Sequence, residues 1–221
     1  MLNEIQQRVL GVLIEKERTV PDSYPLTESA LIQGCNQKSN RDPEMAVDQT
    51  DTGEALTQLR ETSFVSRVEG GGRATKFKHR AEERLNVSRD ELSVLCELLV
   101  RGPQAPGALK PRIARLGTAK TPDQILDLLE GLARKAPTPL VERLAKRPRE
   151  RDHRFGHLLG PRPAEHEGEA DEVESTSPRP GQSAAATDDV GSLRDEVRTL
   201  REEVRSLRSL IDEIRNPGGG S

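Results

Sequence analysis

The side chains best suited to chemistry in this chain are cations and amides. Residues 73–80 read Arg73-Ala74-Thr75-Lys76-Phe77-Lys78-His79-Arg80. In a strand, alternation puts Lys76, Lys78 and Arg80 on one face and Thr75 and Phe77 on the other, with Arg73 at the preceding turn. A second basic stretch is Lys146-Arg147-Pro148-Arg149-Glu150-Arg151-Asp152. Basic ribbons of this kind suit phosphate contacts, which give affinity without sequence readout. Read structurally, they are solvated hairpins that keep a sheet edge soluble. The run Cys35-Asn36-Gln37-Lys38-Ser39-Asn40-Arg41-Asp42-Pro43 is dense in amide and guanidinium groups. Lys38, Asn40 and Arg41 could fork onto phosphate, or the Asn and Asp residues could close turns and cap the next helix.

Other chemistry is poorly served. Cys35 and Cys96 sit among apolar residues and read as buried, reduced thiols with no partner at metal spacing. His153 and His157 are spaced for a helical metal site but fall in a stretch that reads as a strand. Gly70, Gly71 and Gly72 are followed by no Gly-Lys-Ser/Thr and resemble no phosphate loop. No nucleophile constellation is visible. The expectation is a non-enzymatic protein with no catalytic residue, cofactor or metal.

The elements that must position these groups follow from periodicity. Residues 3–16 carry an apolar stripe of Ile5, Val9, Leu10, Val12 and Leu13, with Asn3 and Gln6 spaced as a capping box. Pro21 and Pro25 punctuate the connection to a second helix capped by Thr27, in which Ala30, Leu31 and Cys35 face inward. A polar loop, 36–48, precedes a third helix over 51–62 with Ala55, Leu56 and Leu59 as its apolar face. Residues 64–69 and 73–80 form a hairpin about the glycine turn. The order then repeats. Ser88 and Glu91 cap a helix over 89–100 whose inward face is Leu92, Leu95, Leu98 and Leu99. A short helix spans 106–116. Thr121, Pro122 and Gln124 open a third, which buries Ile125, Leu128, Leu129 and Leu132. Residues 140–145 and 153–159 make a second hairpin. Three helices closed by a β-ribbon, twice over, is the order of tandem winged-helix domains, expected at 1–84 and 85–160.

From 161 to 188 Pro, Ser, Ala and acidic residues dominate, and the segment is expected to be a disordered linker. Val190, Leu193, Val197, Leu200, Val204, Leu207, Ile211 and Ile214 then alternate spacings of three and four. β-Branched residues at a with mostly Leu at d favour two parallel strands, with a trimer as the rival. Acidic Asp189, Glu196 and Glu203 at g face basic Arg194, Arg201 and Arg208 at e in that arrangement. A parallel coiled-coil homodimer is expected over 189–216, with a flexible tail at 217–221.

Charge is split along the chain: residues 1–160 carry 26 Lys and Arg against 23 Asp and Glu, residues 161–221 carry 8 against 14, and the whole is at -3. Aromatics are 2%, so the core must be aliphatic, which favours helices over a large sheet. No apolar run reaches the roughly 20 residues that span a bilayer, and no signal-peptide profile opens the chain, so a soluble, cytoplasmic protein with no membrane partner is expected.

Tyr24-Pro25-Leu26-Thr27, the loop Cys35–Pro43, Gly71-Gly72-Arg73-Ala74-Thr75-Lys76-Phe77 and the stretch Leu98-Leu99-Val100-Arg101-Gly102-Pro103-Gln104-Ala105-Pro106-Gly107 resemble the pattern of the YceH family over about residues 1–159. The resemblance implies a tandem winged-helix fold and brings no catalytic residues. Two functions are then open. The first is a dimeric DNA-associated protein, a transcriptional regulator contacting phosphates through Lys38, Asn40, Arg41, Arg73, Lys76, Lys78, Lys146, Arg147, Arg149 and Arg151, with Gln58 and Arg60 as candidates for base edges. The alternative is a protein–protein adaptor without DNA binding. It is favoured by acidic third helices carrying Asp51, Glu54 and Glu61 in one copy and Asp123, Asp127 and Glu130 in the other.

Overall fold

The apolar stripe of the first helix and its Asn3 cap do form, but the helix is enclosed on every side. In the computed structural model, which describes residues 1–68, 74–146 and 150–161, α1 (Glu4–Thr19) opens on the Asn3–Gln6 capping box and buries every residue from Gln6 to Glu15. The stripe reading accounted for one face only. A second packing partner explains the other: α5 (Arg89–Arg101), opened by the Ser88–Glu91 box, lies against α1 and buries Leu92 through Val100 without a break. A helix buried all round belongs to a core shared by its neighbours on both sides.

Two sets of elements flank this pair. After α1, a 3-10 turn (Pro21–Ser23) leads to β1 (Leu26–Thr27), α2 (Glu28–Cys35) and α3 (Gln49–Glu61). Then come β2 (Val65–Val68), β3 (Lys76–His79) and a short α4 (Ala81–Leu85). After α5 come α6 (Pro106–Ala114), α7 (Pro122–Ala133), β4 (Val141–Arg143) and β5 (Phe155–His157). The chain is mainly helical with small antiparallel sheets, and three helices followed by two strands occur twice. Thr27, Asp48 and Thr121 cap α2, α3 and α7 through their side chains.

The sheets are fuller than a hairpin. The first has order β1-β3-β2, with Leu26 opposite Phe77 and Val65 opposite His79. The second pairs β4 with β5, with Val141 opposite His157, and adds a single antiparallel bridge from Gln104 to Phe155. Gln104 therefore occupies in the second half the place of Leu26 in the first. In each half the segment entering the second helix pairs with the strand that ends Phe-x-His. Leu26 and Gln104 both lie in connections that read as loops, so both pairings, like α4, were missed in the sequence. Leu128, expected inside, is half-buried, and Ile125, Leu129 and Leu132 carry the inner face of α7.

The crossing of α1 and α5 is close because Gly11 sits in it. A Cβ at Gly11 would lie 2.6 Å from Val100 Cγ1 and 3.2 Å from Leu99 Cβ. Both halves contribute to one hydrophobic core, mainly aliphatic but including Phe64, Phe77 and Phe155, that runs from Leu2 to Leu159. The ends of the described body are joined: Leu2 N–H donates to Leu159 O at 2.7 Å, and Gln7 Nε2 donates to Leu2 O and Pro161 O, each at 2.9 Å. The glycine turn 70–72, the linker expected at 161–188 (beyond Pro161 itself) and the coiled coil of 189–216 lie outside the described residues. No described helix is long and apolar enough to cross a membrane.

Gly11→Ala separates packing from propensity. Alanine gains about 1 kcal/mol of helix propensity over glycine, yet overpacking costs about 1–3 kcal/mol. The expected outcome in urea unfolding is a net loss of stability, relieved when Val100→Ala is added in the same chain.

Candidate functional site

The Cys35–Pro43 loop turns its strongest cation inward. Arg41 is 6% exposed. Its Nε donates to Gly34 O at 3.0 Å, its Nη1 to Asn40 O at 2.8 Å and its Nη2 to Glu15 Oε2 at 2.5 Å. A guanidinium so engaged is withdrawn from any surface, which corrects the expectation that Arg41 contacts phosphate. Asn36 closes the loop in the manner of a ladder pair, donating to Val47 O and accepting from Val47 N–H, both at 2.7 Å. Asn40 takes φ of 61° and accepts from Arg101 Nη2. Of the structural reading of this loop, these bonds satisfy turn closure; the next helix is capped by Asp48, beyond the loop. Lys38 alone of its three proposed contacts points to solvent.

Glu15 is where the two halves meet electrostatically. It is 1% exposed, and its second oxygen accepts from Arg115 Nη2 at 2.7 Å. The same Nη2 donates at 2.8 Å to Glu97 Oε1, on α5, and Arg101 Nε lies 3.6 Å from Glu97 Oε2. Gln104 Nε2 donates to Glu97 O at 3.0 Å, while its Oε1 accepts from Arg112 Nη1. Burial pushes the Glu15 carboxyl up, but the Arg41 hydrogen bond and the charges of Arg41 and Arg115 outweigh it and hold it below its ordinary value. Beside this cluster Arg8, 2% exposed, ties α1 to the loop through Cys35 O at 3.0 Å and Pro43 O at 2.6 Å. Sequence reading missed Glu15 and Glu97. The available signal was a carboxylate following unbroken apolar runs, Val12-Leu13-Ile14 before one and Val94-Leu95-Cys96 before the other.

The remaining expected contacts divide by element. Lys76 and Lys78 are exposed on the outer face of β3, and Phe77 and His79 are turned inward. His79 accepts Ala81 N–H at Nδ1, 3.3 Å away, which leaves Nε2 to face Glu17 Oε2 at 2.9 Å. Arg60, Lys146 and Arg151 are exposed. Arg73, Arg147 and Arg149 lie outside the described residues, as do Val190, Leu193, Val197, Leu200, Val204, Leu207, Ile211 and Ile214. Gln58 is exposed but already accepts from Gln6 Nε2. The outer face of α3 forms a shallow groove, open to solvent, whose lining includes Glu28, Glu54 and Glu61 with neutral Gln49, Thr57 and Gln58, and no Lys or Arg.

Cys35 and Cys96 are both buried, as read from the sequence, and are not joined in a disulfide. Burial pushes the Cys35 thiol up to about 11 and the Cys96 thiol well above its ordinary value, so neither supplies a thiolate near neutrality. Among the described residues no three His, Cys, Asp or Glu side chains gather as a metal site.

Breaking the buried pair has a defined cost. Arg41→Met leaves Glu15 with Arg115 as its one guanidinium, and stability is expected to fall by about 3–5 kcal/mol in denaturant unfolding. The pH sign follows from the depressed Glu15 carboxyl: its contribution is present above the ordinary carboxylate range and is lost as pH falls through the lower folded value. Glu15→Gln is therefore expected to be less stable than wild type near neutrality and to lose less of its stability on acidification, as acid titrations of both chains would register.

A family described as "Protein of unknown function, DUF480" matches residues 2–150. The chain is 42% identical over 163 residues to the UPF0502 protein GSU0233 of Geobacter sulfurreducens, covering 74% of each chain. It is 40% identical over 161 residues to a UPF0502 protein of Opitutus terrae, covering 72% of this chain and 70% of that one. It is also 40% identical over 164 residues to the UPF0502 protein VF_A0604 of Aliivibrio fischeri, with 72% and 76% covered. The match spans both halves of the helical body and the buried charge cluster between them, and the chain belongs to the DUF480 family of proteins of unknown function.

Proposed function

We propose that each half is a winged helix, as the YceH resemblance implied, and that the tandem acts as an adaptor whose α3 groove receives a basic segment of a partner protein. The strand orders support the fold reading: the segment before the second helix pairs with the last strand in both halves, as Leu26–Phe77 and Gln104–Phe155. The observation that carries the function is the lining of that groove. Glu28, Glu54 and Glu61 would repel a phosphodiester backbone and complement Lys or Arg side chains. Asp123, Asp127 and Glu130 give α7 the same sign. The heptads at 190–214 support a parallel homodimer, which would present two such grooves and add avidity on a partner with two basic segments.

DNA association through the ribbons is the second reading, favoured by Lys76 and Lys78 standing together on the outer face of β3. Phosphate contacts from these lysines would hold duplex weakly and without sequence preference.

Fluorescence anisotropy of the full chain with a labelled Lys/Arg-rich peptide and, separately, a mixed-sequence duplex distinguishes the two across roughly 50–200 mM salt. The adaptor reading expects peptide binding that weakens about tenfold in Glu54→Lys/Glu61→Lys. It is wrong if the peptide does not bind, or if duplex binds and Lys76→Glu/Lys78→Glu abolishes that binding while the groove substitutions leave peptide binding unchanged.

A further inference from the structure

The cluster joining the halves is not electrically balanced. Glu15 and Glu97 are its two carboxylates, and Arg41, Arg115 and Arg101 already form ion pairs with them. Arg112 brings a fourth guanidinium. Its hydrogen bond goes to the neutral Gln104 Oε1, and among the described residues it has no carboxylate within 4.0 Å. Arg101 is held the same way on one side, by the Asn40 amide oxygen, and its buried Nε makes no hydrogen bond. The excess of cations lies at an edge open to solvent. The Arg115 side chain is 30% exposed and that of Arg101 17%, and Arg112 is half-buried. Like charges there act on one another: burial first, then the charge of Arg112, lowers the Arg101 guanidinium below its ordinary value.

We propose that Arg101, Arg112 and Arg115, with Asn40 at the rim, form a binding site for a small phosphate-bearing ligand. Four guanidiniums against two carboxylates leave two positive charges, which a phosphate dianion matches and a single carboxylate does not. Guanidinium forks donate in bidentate geometry to the oxygens of a tetrahedral phosphate. Three guanidiniums and one amide gathered where α5, α6 and the Asn40 loop meet suit a compact group better than a duplex, whose phosphates follow a continuous backbone. The ligand would link the loop of the first half to α5 and α6 of the second. This site is distinct from the α3 groove and does not depend on the adaptor reading.

The test is thermal unfolding of the full chain against inorganic phosphate, with chloride holding ionic strength constant, repeated with a phosphate monoester, phosphoserine. A saturable rise in Tm of about 3–8 °C is expected for both. Arg112→Gln loses one hydrogen bond to Gln104 in the fold, so it is expected to fold and to need at least about tenfold more phosphate for the same rise. Arg112→Lys is expected to retain part of it. Should Arg112→Gln itself fail to fold, Arg101→Gln provides the same comparison. A rise that never saturates, one that is unchanged in the glutamine variants, or no rise at all would overturn the proposal. So would duplex DNA protecting the wild type through Arg112 while inorganic phosphate does not.

Discussion

A buried carboxylate towards the C-terminal end of the first helix organises this molecule. Glu15 cannot sit at 1% exposure unless its charge is met from outside its own helix. The answering guanidiniums come from the loop after α2, through Arg41, and from the segment after α6, through Arg115. That requirement fixes the loop's conformation and the position of the second half at once. Aliphatic packing around Gly11 brings α1 and α5 together, but such packing is non-directional. Charge-assisted bonds at 2.5 and 2.7 Å accept one register far more readily than its neighbours.

The division of labour among the polar residues follows. Where the loop 36–48 is rich in amides and guanidinium groups, they are consumed internally: Asn36 on Val47, Arg41 on Glu15, Asn40 on Arg101. What remains for partners is sparse and separated by sign. The ribbon offers Lys76 and Lys78, the α3 groove offers Glu28, Glu54 and Glu61, and the α5–α6 edge offers Arg101 and Arg112. A fold that spends its densest polar segment on holding itself together has separate surfaces left for recognition.

Helix starts were the most legible part of the chain. Asn3, Ser88 and Thr121 cap where their spacing to Gln6, Glu91 and Gln124 places them, and Thr27 caps α2 as its residue type suggests, because a cap depends only on residues within one turn. The third strand of the first sheet and the lone bridge beside the second were not legible. Leu26 and Gln104 pair with residues far along the chain, and two residues or one carry no period. The enclosure of α1 and α5 was half legible: the apolar stripe is visible locally, but the second buried face depends on a partner elsewhere in the sequence. At the candidate site the type of residue was correct and its direction was not. Arg41 reads as a ligand for anions and is one, but the anion is Glu15, on a helix the loop's own sequence does not mention.

The bond from Leu2 N–H to Leu159 O has a kinetic meaning. It closes nearly the whole described body into a ring, and the entropy of closing a loop grows with its length. It ties the first turn of α1 to the last described segment, and chain ends held by so few bonds are natural first points of fraying. Release of those bonds would bare Leu2 and the Gln7 amide while the central helices stay engaged, a sub-global opening that hydrogen exchange would resolve at α1's first turn.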